Sequence, residues 1–151
     1  MKSPAPPIPV RVLQAHSAPD ANHRVIELPM SAADRRRVRR LVEAPDGAVL
    51  ALELSTGTIL HPGQVLHHDA EVAYVVTAAD EDVLVMRPLD IAEAARIAHL
   101  IGNMHRDIDV HGGEIVALAD DILADRIAKA GAQCERARRP FHGRAPGEHA
   151  H

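Results

Sequence analysis

Residues 83–103 read VLVMRPLDIAEAARIAHLIGN and decide the fold of the second half of the chain. A short apolar strand closed by Arg87-Pro88 is followed by Asp90, which is a favourable residue to cap a helix. After Asp90 in the sequence, apolar side chains recur at helical spacing, namely Ile91, Ala94, Ala95, Ala98 and Ile101. Gly102-Asn103 then predicts the helix end, because both residue types accept left-handed backbone angles.

A second strand–helix unit follows the first. Gly112-Gly113 predicts a hairpin between strands at 108–110 and 114–118. Asp120 predicts a second helix, which Gly131 ends and whose inner face carries Ile122, Leu123, Ile127 and Ala130. With a last strand at 133–138, the order is that of a ferredoxin-like (βαββαβ) domain. We assign this domain to residues 79–142, with a flexible C-terminal tail at 143–151.

The first half of the chain is predicted to be β-rich. Short β-branched runs bounded by turn signals indicate strands at 10–15, 23–28, 48–54, 65–66 and 72–77. The arginine-rich stretch 31–42 is ambiguous, and we interpret it as a turn followed by a strand. Such spacing is typical of a small barrel or sandwich. The fold class is therefore α+β, with a flexible N-terminal tail at 1–9 and a β-rich domain at 10–78.

Composition excludes several classes of function. The 151 residues include one Tyr, one Phe and no Trp, so aromatic platforms for single-stranded nucleic acid are missing. The net charge of −4 argues against binding to DNA phosphates. The single cysteine, Cys134, cannot form an intrachain disulfide, and we interpret it as an inert strand residue. Without an apolar run of 18 residues or a signal-like N-terminus, we expect no membrane contact and a cytoplasmic location.

Eleven histidines are the unusual feature of the composition. His105 stands out because it follows a helix end, where a sharp turn directs the side chain outward. One imidazole binds a metal poorly, whereas two copies across a twofold axis bind well. His149 and His151 in the tail are candidates to complete such a site, and His111 beside the hairpin turn is a further one. The other histidines are interpreted as ordinary surface or packing residues.

At this point the residues resemble the family of the urease accessory protein UreE, a nickel metallochaperone. The residues 98–105, AHLIGNMH, resemble the family's H-L-G-N-x-H signature, with an additional Ile before the glycine. The stretch 54–63, LSTGTILHPG, resembles the family's L-P-x-G-T-x-L-x-x-G-D, and Pro140-Phe141 resembles the P-F after the last strand. The residues 120–127 resemble the family's second helix.

The resemblance implies a peptide-binding-type N-terminal domain and a homodimer that binds Ni²⁺ through His105 of both subunits. It also implies delivery of nickel to urease, with the accessory GTPase UreG and the urease apoprotein activation complex as partners. Cu²⁺ or Zn²⁺ is expected to bind in vitro. The chain departs from the family where many members carry two further histidines, since Ala119 and Asp121 stand there, and the tail holds only His149 and His151.

Three alternatives are open from the residues. A hydrolase would use His105 with Asp107 or Asp109, but the chain has neither a nucleophile motif nor a phosphate loop. A nucleic-acid binder would use the arginines at 35–40, against the overall charge. A non-catalytic docking or scaffold protein of the urease activation complex, with incidental metal binding, is the third alternative.

Overall fold

Two three-stranded sheets build the chain up to Ala78, which we call the N-terminal unit. A computed structural model describes residues 3–13 and 19–147. The first sheet has the order β1-β4-β3 and the second the order β2-β6-β5. Each sheet contains one parallel pair, β1 with β4 and β2 with β6. The strands are β1 (Ile8–Val10), β2 (Arg24–Met30), β3 (Arg39–Glu43), β4 (Val49–Glu53), β5 (Val65–His68) and β6 (Val72–Ala78).

Val65, Ala73 and Val75 form a small separate cluster, and the main core of the described part of this unit is aliphatic, as expected for a chain with so few aromatic residues. Its centre includes Leu50, Leu60 and Val76, all fully buried. The one tyrosine, Tyr74, lies at its edge and donates a hydrogen bond of 2.8 Å to a carboxylate oxygen of Asp46. The β-rich prediction for this half is therefore confirmed.

The arginine-rich stretch forms a one-turn 3-10 helix (Asp34–Arg36) followed by β3, as we predicted. Arg35 is buried, with 2% of its surface exposed, and its Nη1 donates to the backbone oxygen of Met30 at 2.8 Å. The guanidinium groups of Arg39 and Arg40 donate to backbone oxygens as well. These arginines hold the turn together, which is a structural use different from contact with phosphates.

The second part of the chain, from Ala79 on, is the C-terminal unit, and it has the ferredoxin-like order of elements. Its sheet runs β10-β7-β9-β8, and all neighbouring strands are antiparallel. The elements are β7 (Asp80–Met86), α1 (Ile91–Asn103), β8 (Asp109–His111), β9 (Glu114–Leu118), α2 (Asp121–Lys129) and β10 (Cys134–Pro140). This arrangement confirms the predicted fold class.

The two helices begin where their caps predict. The Asp90 carboxylate accepts from the backbone N–H of Glu93 at 2.7 Å, and Asp120 accepts from that of Leu123 at 2.9 Å. Both backbone angles of the Gly112-Gly113 turn are left-handed, with φ of 51° and 82°, as the predicted two-residue hairpin requires. Neither of the helices in the described part of the chain is long and apolar enough to cross a membrane.

Some details of the prediction are wrong. Ile91 and Ile122 lie outside the core, with 89% and 63% of their surfaces exposed, because each stands to the side of the helix face that is buried; Leu123, next to Ile122, is fully buried. The buried helix residues are Ile97, Ile101, Leu123 and Ile127. The strand expected at 10–15 begins earlier, at Ile8, inside the stretch predicted as a tail; residues 11–13 are not strand, and residues 14 and 15 lie outside the described residues.

Candidate metal centre

His105 occupies an unusual backbone position directly after α1. Its φ is 55°, and it is the one non-glycine residue with a positive φ in residues 3–13 and 19–147. Its N–H donates to the oxygen of Gly102 at 2.9 Å, and the N–H of Arg106 donates to that of Ile101 at 3.3 Å. These two bonds form a Schellman motif, in which the left-handed residue is usually glycine. Here the exposed His105 takes that place.

The helix end thus differs from its prediction. Gly102 and Asn103 were expected to end α1, yet both belong to it, and the left-handed residue comes two positions later. A left-handed conformation costs a residue with a Cβ about 1–2 kcal/mol. In this chain a histidine, and not a glycine, adopts the costly left-handed conformation. Unfavourable backbone angles of this kind are concentrated at functional sites.

A second group of candidate ligands lies at β8. It consists of Asp109 and His111 on the strand and His142 after β10, and we call it the β8 cluster. One ligand atom from each residue lies within 4.8 Å of the other two. The Asp109 carboxylate joins the two imidazoles, with Oδ1 at 2.8 Å from Nε2 of His111 and Oδ2 at 2.9 Å from Nδ1 of His142. The two rings meet edge to face, with centroids 5.5 Å apart.

Strand geometry explains the first half of this cluster. Asp109 and His111 are two residues apart on β8, so their side chains point to the same face of the sheet. In the register, Asp109 pairs with Val116 and His111 with Glu114. The hairpin through Gly112 and Gly113 fixes this register, because a two-residue turn leaves no slack between the strands.

His142 reaches the cluster by crossing the end of the sheet. Strand β10 lies at one edge of the sheet and β8 at the other, and the chain passes from one to the other after Pro140. The backbone N–H groups of His142 and Arg144 donate to carboxylate oxygens of Asp109 and Asp107, at 3.2 and 2.7 Å. Segment 142–144 is therefore bound to the β8 edge at two points.

Glycine at position 143 makes the crossing possible. A Cβ atom on Gly143 would lie 2.4 Å from the ring of Phe141, whose side chain is fully buried. No larger residue fits there without a shift of this ring. Phe141 and Gly143 together therefore place His142 opposite Asp109.

The electrostatics of the β8 cluster favour an ionised carboxylate. Burial acts to raise the pKa of Asp109, whose side chain is 11% exposed. Hydrogen bonds from His142 and His111 outweigh this cost and lower the pKa below its ordinary value. Asp109 is thus a negatively charged oxygen donor between two imidazoles, a donor set that suits a divalent transition metal.

The structure separates the histidines that we had grouped from the sequence. His111 belongs to the β8 cluster, whereas His105 does not, and His149 and His151 lie outside the described residues. Ala119 packs against the core of the C-terminal unit, and Asp121 forms an ion pair with Arg136. Asp107, considered as a catalytic partner of His105, contacts Arg144.

Two members of the β8 cluster, Asp109 and His142, were not predicted as candidate metal ligands. The spacing of Asp109 and His111 is a signal that the sequence contains, because residues i and i+2 of a strand share a face. His142 gives no local signal, since its partner lies 33 positions away in the chain. The contact depends on the path of the chain after β10.

Two cavities among the described residues lie away from these side chains. A groove of about 500 Å³ in the N-terminal unit is lined by residues 28–30 and 40–45, from the edge strands β2 and β3. A pocket of about 180 Å³ lies between α1 and α2. Neither of these two cavities is lined by a histidine.

The fold and its site define a two-unit protein with exposed histidines on its C-terminal unit. The family model described as the N-terminal domain of the UreE urease accessory protein matches residues 10–79, and the model of its C-terminal domain matches residues 81–151. The chain belongs to the UreE family of urease accessory proteins. Its role is accessory to urease, and it is not itself a catalyst.

Similar proteins span most of the chain. Urease accessory protein UreE of Deinococcus radiodurans is 48% identical over 124 residues, which cover 82% of this chain and 80% of the relative. That of Synechococcus sp. (strain JA-3-3Ab) is 48% identical over 117 residues, 78% of each chain. The Burkholderia thailandensis protein is 38% identical over 124 residues, which cover 80% of this chain and 58% of the relative.

Proposed function

We propose that this protein is a nickel metallochaperone that binds Ni²⁺ at a homodimer interface and delivers it during assembly of the urease active site. His105 of each subunit is the proposed primary ligand. The observation that carries the proposal is the exposed imidazole at a left-handed helix terminus, in a chain of the UreE family. An energetically costly backbone that presents a nitrogen donor is understandable if the donor binds a ligand.

A twofold arrangement of two subunits explains how one imidazole per chain is sufficient to bind a nickel ion. Symmetry brings the same residue of both subunits to one axis, so a single histidine supplies two nitrogen donors. The tail residues His149 and His151 are proposed as exchangeable ligands that a partner's ligands replace during transfer. Nickel then moves between proteins without release into water.

The partners in this proposal are the accessory GTPase UreG and the urease apoprotein in its activation complex, in the cytoplasm. Cu²⁺ and Zn²⁺ also bind imidazole well, and Cu²⁺ is expected to bind at least as tightly as Ni²⁺. Selectivity for nickel must therefore come from supply and from the partners. The alternative, a docking protein with incidental metal binding, predicts that urease activation does not depend on His105.

His105→Asn tests the proposal, because asparagine accepts left-handed backbone angles and removes the imidazole without disturbing the helix end. Nickel calorimetry on the wild-type chain should include a tight class of sites with about one Ni²⁺ per two subunits. In His105→Asn this binding should weaken by about a hundredfold or more, since even outer-shell partners of a metal contribute 10–100-fold.

His99→Ala is the matched control. His99 is an exposed histidine on α1 whose Nε2 lies 3.0 Å from Nδ2 of Asn103, and its loss should leave nickel affinity unchanged. Urease activation in cells at limiting nickel should fall with His105→Asn and not with His99→Ala. Unchanged stoichiometry and affinity in His105→Asn would refute the assignment, and normal activation by that variant would favour the docking alternative.

A further inference from the structure

We propose that the β8 cluster is a metal site within one subunit, separate from His105, for a divalent transition-metal cation such as Ni²⁺, Cu²⁺ or Zn²⁺. Two imidazole nitrogens and one carboxylate oxygen are the donors. All three residues belong to one chain, so the site requires neither a second subunit nor His105. It does not rest on the nickel-delivery function proposed above.

The distances fit a cation after a small adjustment. Zinc–ligand bonds of about 2.0–2.2 Å place neighbouring donor atoms about 3.0–3.5 Å apart. In the β8 cluster the ligand atoms lie within 4.8 Å of one another, and the two hydrogen-bonded pairs are 2.8 and 2.9 Å apart. The imidazoles of His111 and His142 are 60% and 46% exposed, so their rings can rotate into place.

Binding exchanges two hydrogen bonds for metal bonds. In the metal-free cluster, a neutral imidazole donates its one N–H proton to Asp109. When a cation takes the lone pair of that nitrogen, the proton moves through solvent to the other ring nitrogen. Neutral rings therefore bind the metal without net proton release, and the Asp109 carboxylate neutralises part of the cation's charge.

The backbone segments that carry the donors are held in place before a cation arrives. The carboxylate of Asp109 is nearly buried. It accepts one hydrogen bond from the backbone N–H of His142 and contacts the ring nitrogen Nδ1 of the same residue. Arg144 and Asp107 hold the next turn of the segment, and the Gly112-Gly113 hairpin holds His111. Preorganised ligands lose little conformational entropy on binding. Three protein donors also leave coordination positions open to solvent, which suits exchange of the ion.

These contacts have a simpler explanation, namely that Asp109 fastens the segment after β10 to the sheet edge. His111 distinguishes the two roles. His142 contacts Asp109 through both backbone and side chain, so the attachment does not need His111. The imidazole of His111 is a second exposed ring on the Asp109 carboxylate, which already binds His142. It therefore adds little to the attachment of the segment, but it completes the proposed metal site.

The experiment uses a full-length parent with His105→Asn, His149→Ala and His151→Ala, so that the β8 cluster is the proposed site that remains. Zinc calorimetry on this parent should give about one Zn²⁺ per subunit. Adding His111→Ala should weaken binding by about a hundredfold or more. Adding His99→Ala, the matched exposed histidine, should leave affinity unchanged. Far-UV circular dichroism checks that each variant retains its helices.

A parent that binds no Zn²⁺, or one that binds it equally well with and without His111, would overturn the proposal. Nickel-induced broadening of imidazole NMR signals provides an independent readout. The signals of His111 and His142 should broaden in the parent, whereas that of His99 should stay sharp, and the opposite pattern would also overturn it. Failure here leaves the dimer site at His105 untouched, since the parent lacks that site.

Discussion

The histidines of the N-terminal and C-terminal units are used in different ways. In the N-terminal unit, Nδ1 of His23 accepts the backbone N–H of Asp20 at 3.0 Å, and Nε2 lies 2.8 Å from the oxygen of Asp69. Both ring nitrogens are thus occupied by the protein's own backbone. In the C-terminal unit, His111 and His142 meet at a carboxylate, and His105 projects from a helix end.

This difference shows that the partners of its ring nitrogens, more than the number of histidines in the chain, decide whether a histidine is a candidate metal ligand. Neighbours in the sequence are no guide, because His67 and His68 are adjacent on β5 yet contact different rings, those of Tyr74 and His23. In the described parts of the two units, the candidate metal ligands lie in the C-terminal one, whereas His23 of the N-terminal unit binds backbone groups of its own unit.

The largest expected effect is on the free energy of unfolding, and it compares a buried arginine with an exposed one. Arg35→Ala should destabilise the N-terminal unit by about 3 kcal/mol, because it leaves a cavity and deprives the backbone oxygen of Met30 of a buried donor. Tyrosine fluorescence in a urea titration reports this unit, since Tyr74 is the chain's one tyrosine and no tryptophan is present.

Arg87→Ala is the matched control in the C-terminal unit. Arg87 forms exposed ion pairs with Glu114 and Glu135, at 2.9 and 2.8 Å, and exposed pairs contribute little because solvent screens them. Followed by circular dichroism at 222 nm, because the C-terminal unit contains both α-helices of the described residues, this variant should unfold almost like the wild type. If the two arginine variants unfolded alike, the contrast between the units would be wrong.

A second, intermediate effect concerns alkaline pH. Burial, followed by the hydrogen bond to Asp46, raises the pKa of Tyr74 to about 12, while the bond from Tyr74 lowers the pKa of Asp46. Because the folded-state pKa of Tyr74 is the higher one, its contribution to stability is complete below the ordinary value near 10 and is lost as the pH rises toward 12.

Tyrosinate absorbance at 295 nm follows this single tyrosine. The native midpoint should lie near pH 12, and Asp46→Asn should lower it without reaching 10, because burial is the larger cause. A wild-type midpoint near 10, or no change in Asp46→Asn, would show that the Tyr74–Asp46 contact is not formed in solution.

The smallest effect tests the backbone at His105. His105→Gly should be more stable than His105→Ala by about 1 kcal/mol, because glycine has no Cβ to oppose the left-handed angle. Urea unfolding followed at 222 nm reports the C-terminal unit, which contains both α-helices of the described residues. Equal stabilities would mean that the helix ends differently in solution.

Much of the fold was predictable from local signals. Asp90 and Asp120 gave the helix starts, and Gly112-Gly113 gave the hairpin. The exposed positions of Ile91 and Ile122 were not predictable, because a wide apolar stripe does not show which of its residues stand at the centre of the buried face and which at its side.

The site was predictable only where its residues follow one another closely. The helix end drew attention to His105, although the residue with left-handed angles is His105 itself and not Gly102 or Asn103. The link from Asp109 to His142 depends on a chain crossing between opposite sheet edges, and no spacing in the sequence encodes it.

The crossing after β10 also protects the sheet from unwanted association. An exposed edge strand offers unpaired backbone groups to other chains and is a common starting point for aggregation. Segment 142–144 lies against the start of the β8 edge, and its N–H groups donate to the side chains of Asp107 and Asp109 instead of to backbone oxygens. The two carboxylates thus fasten this segment at the start of the β8 edge, where it stands in the way of a foreign strand.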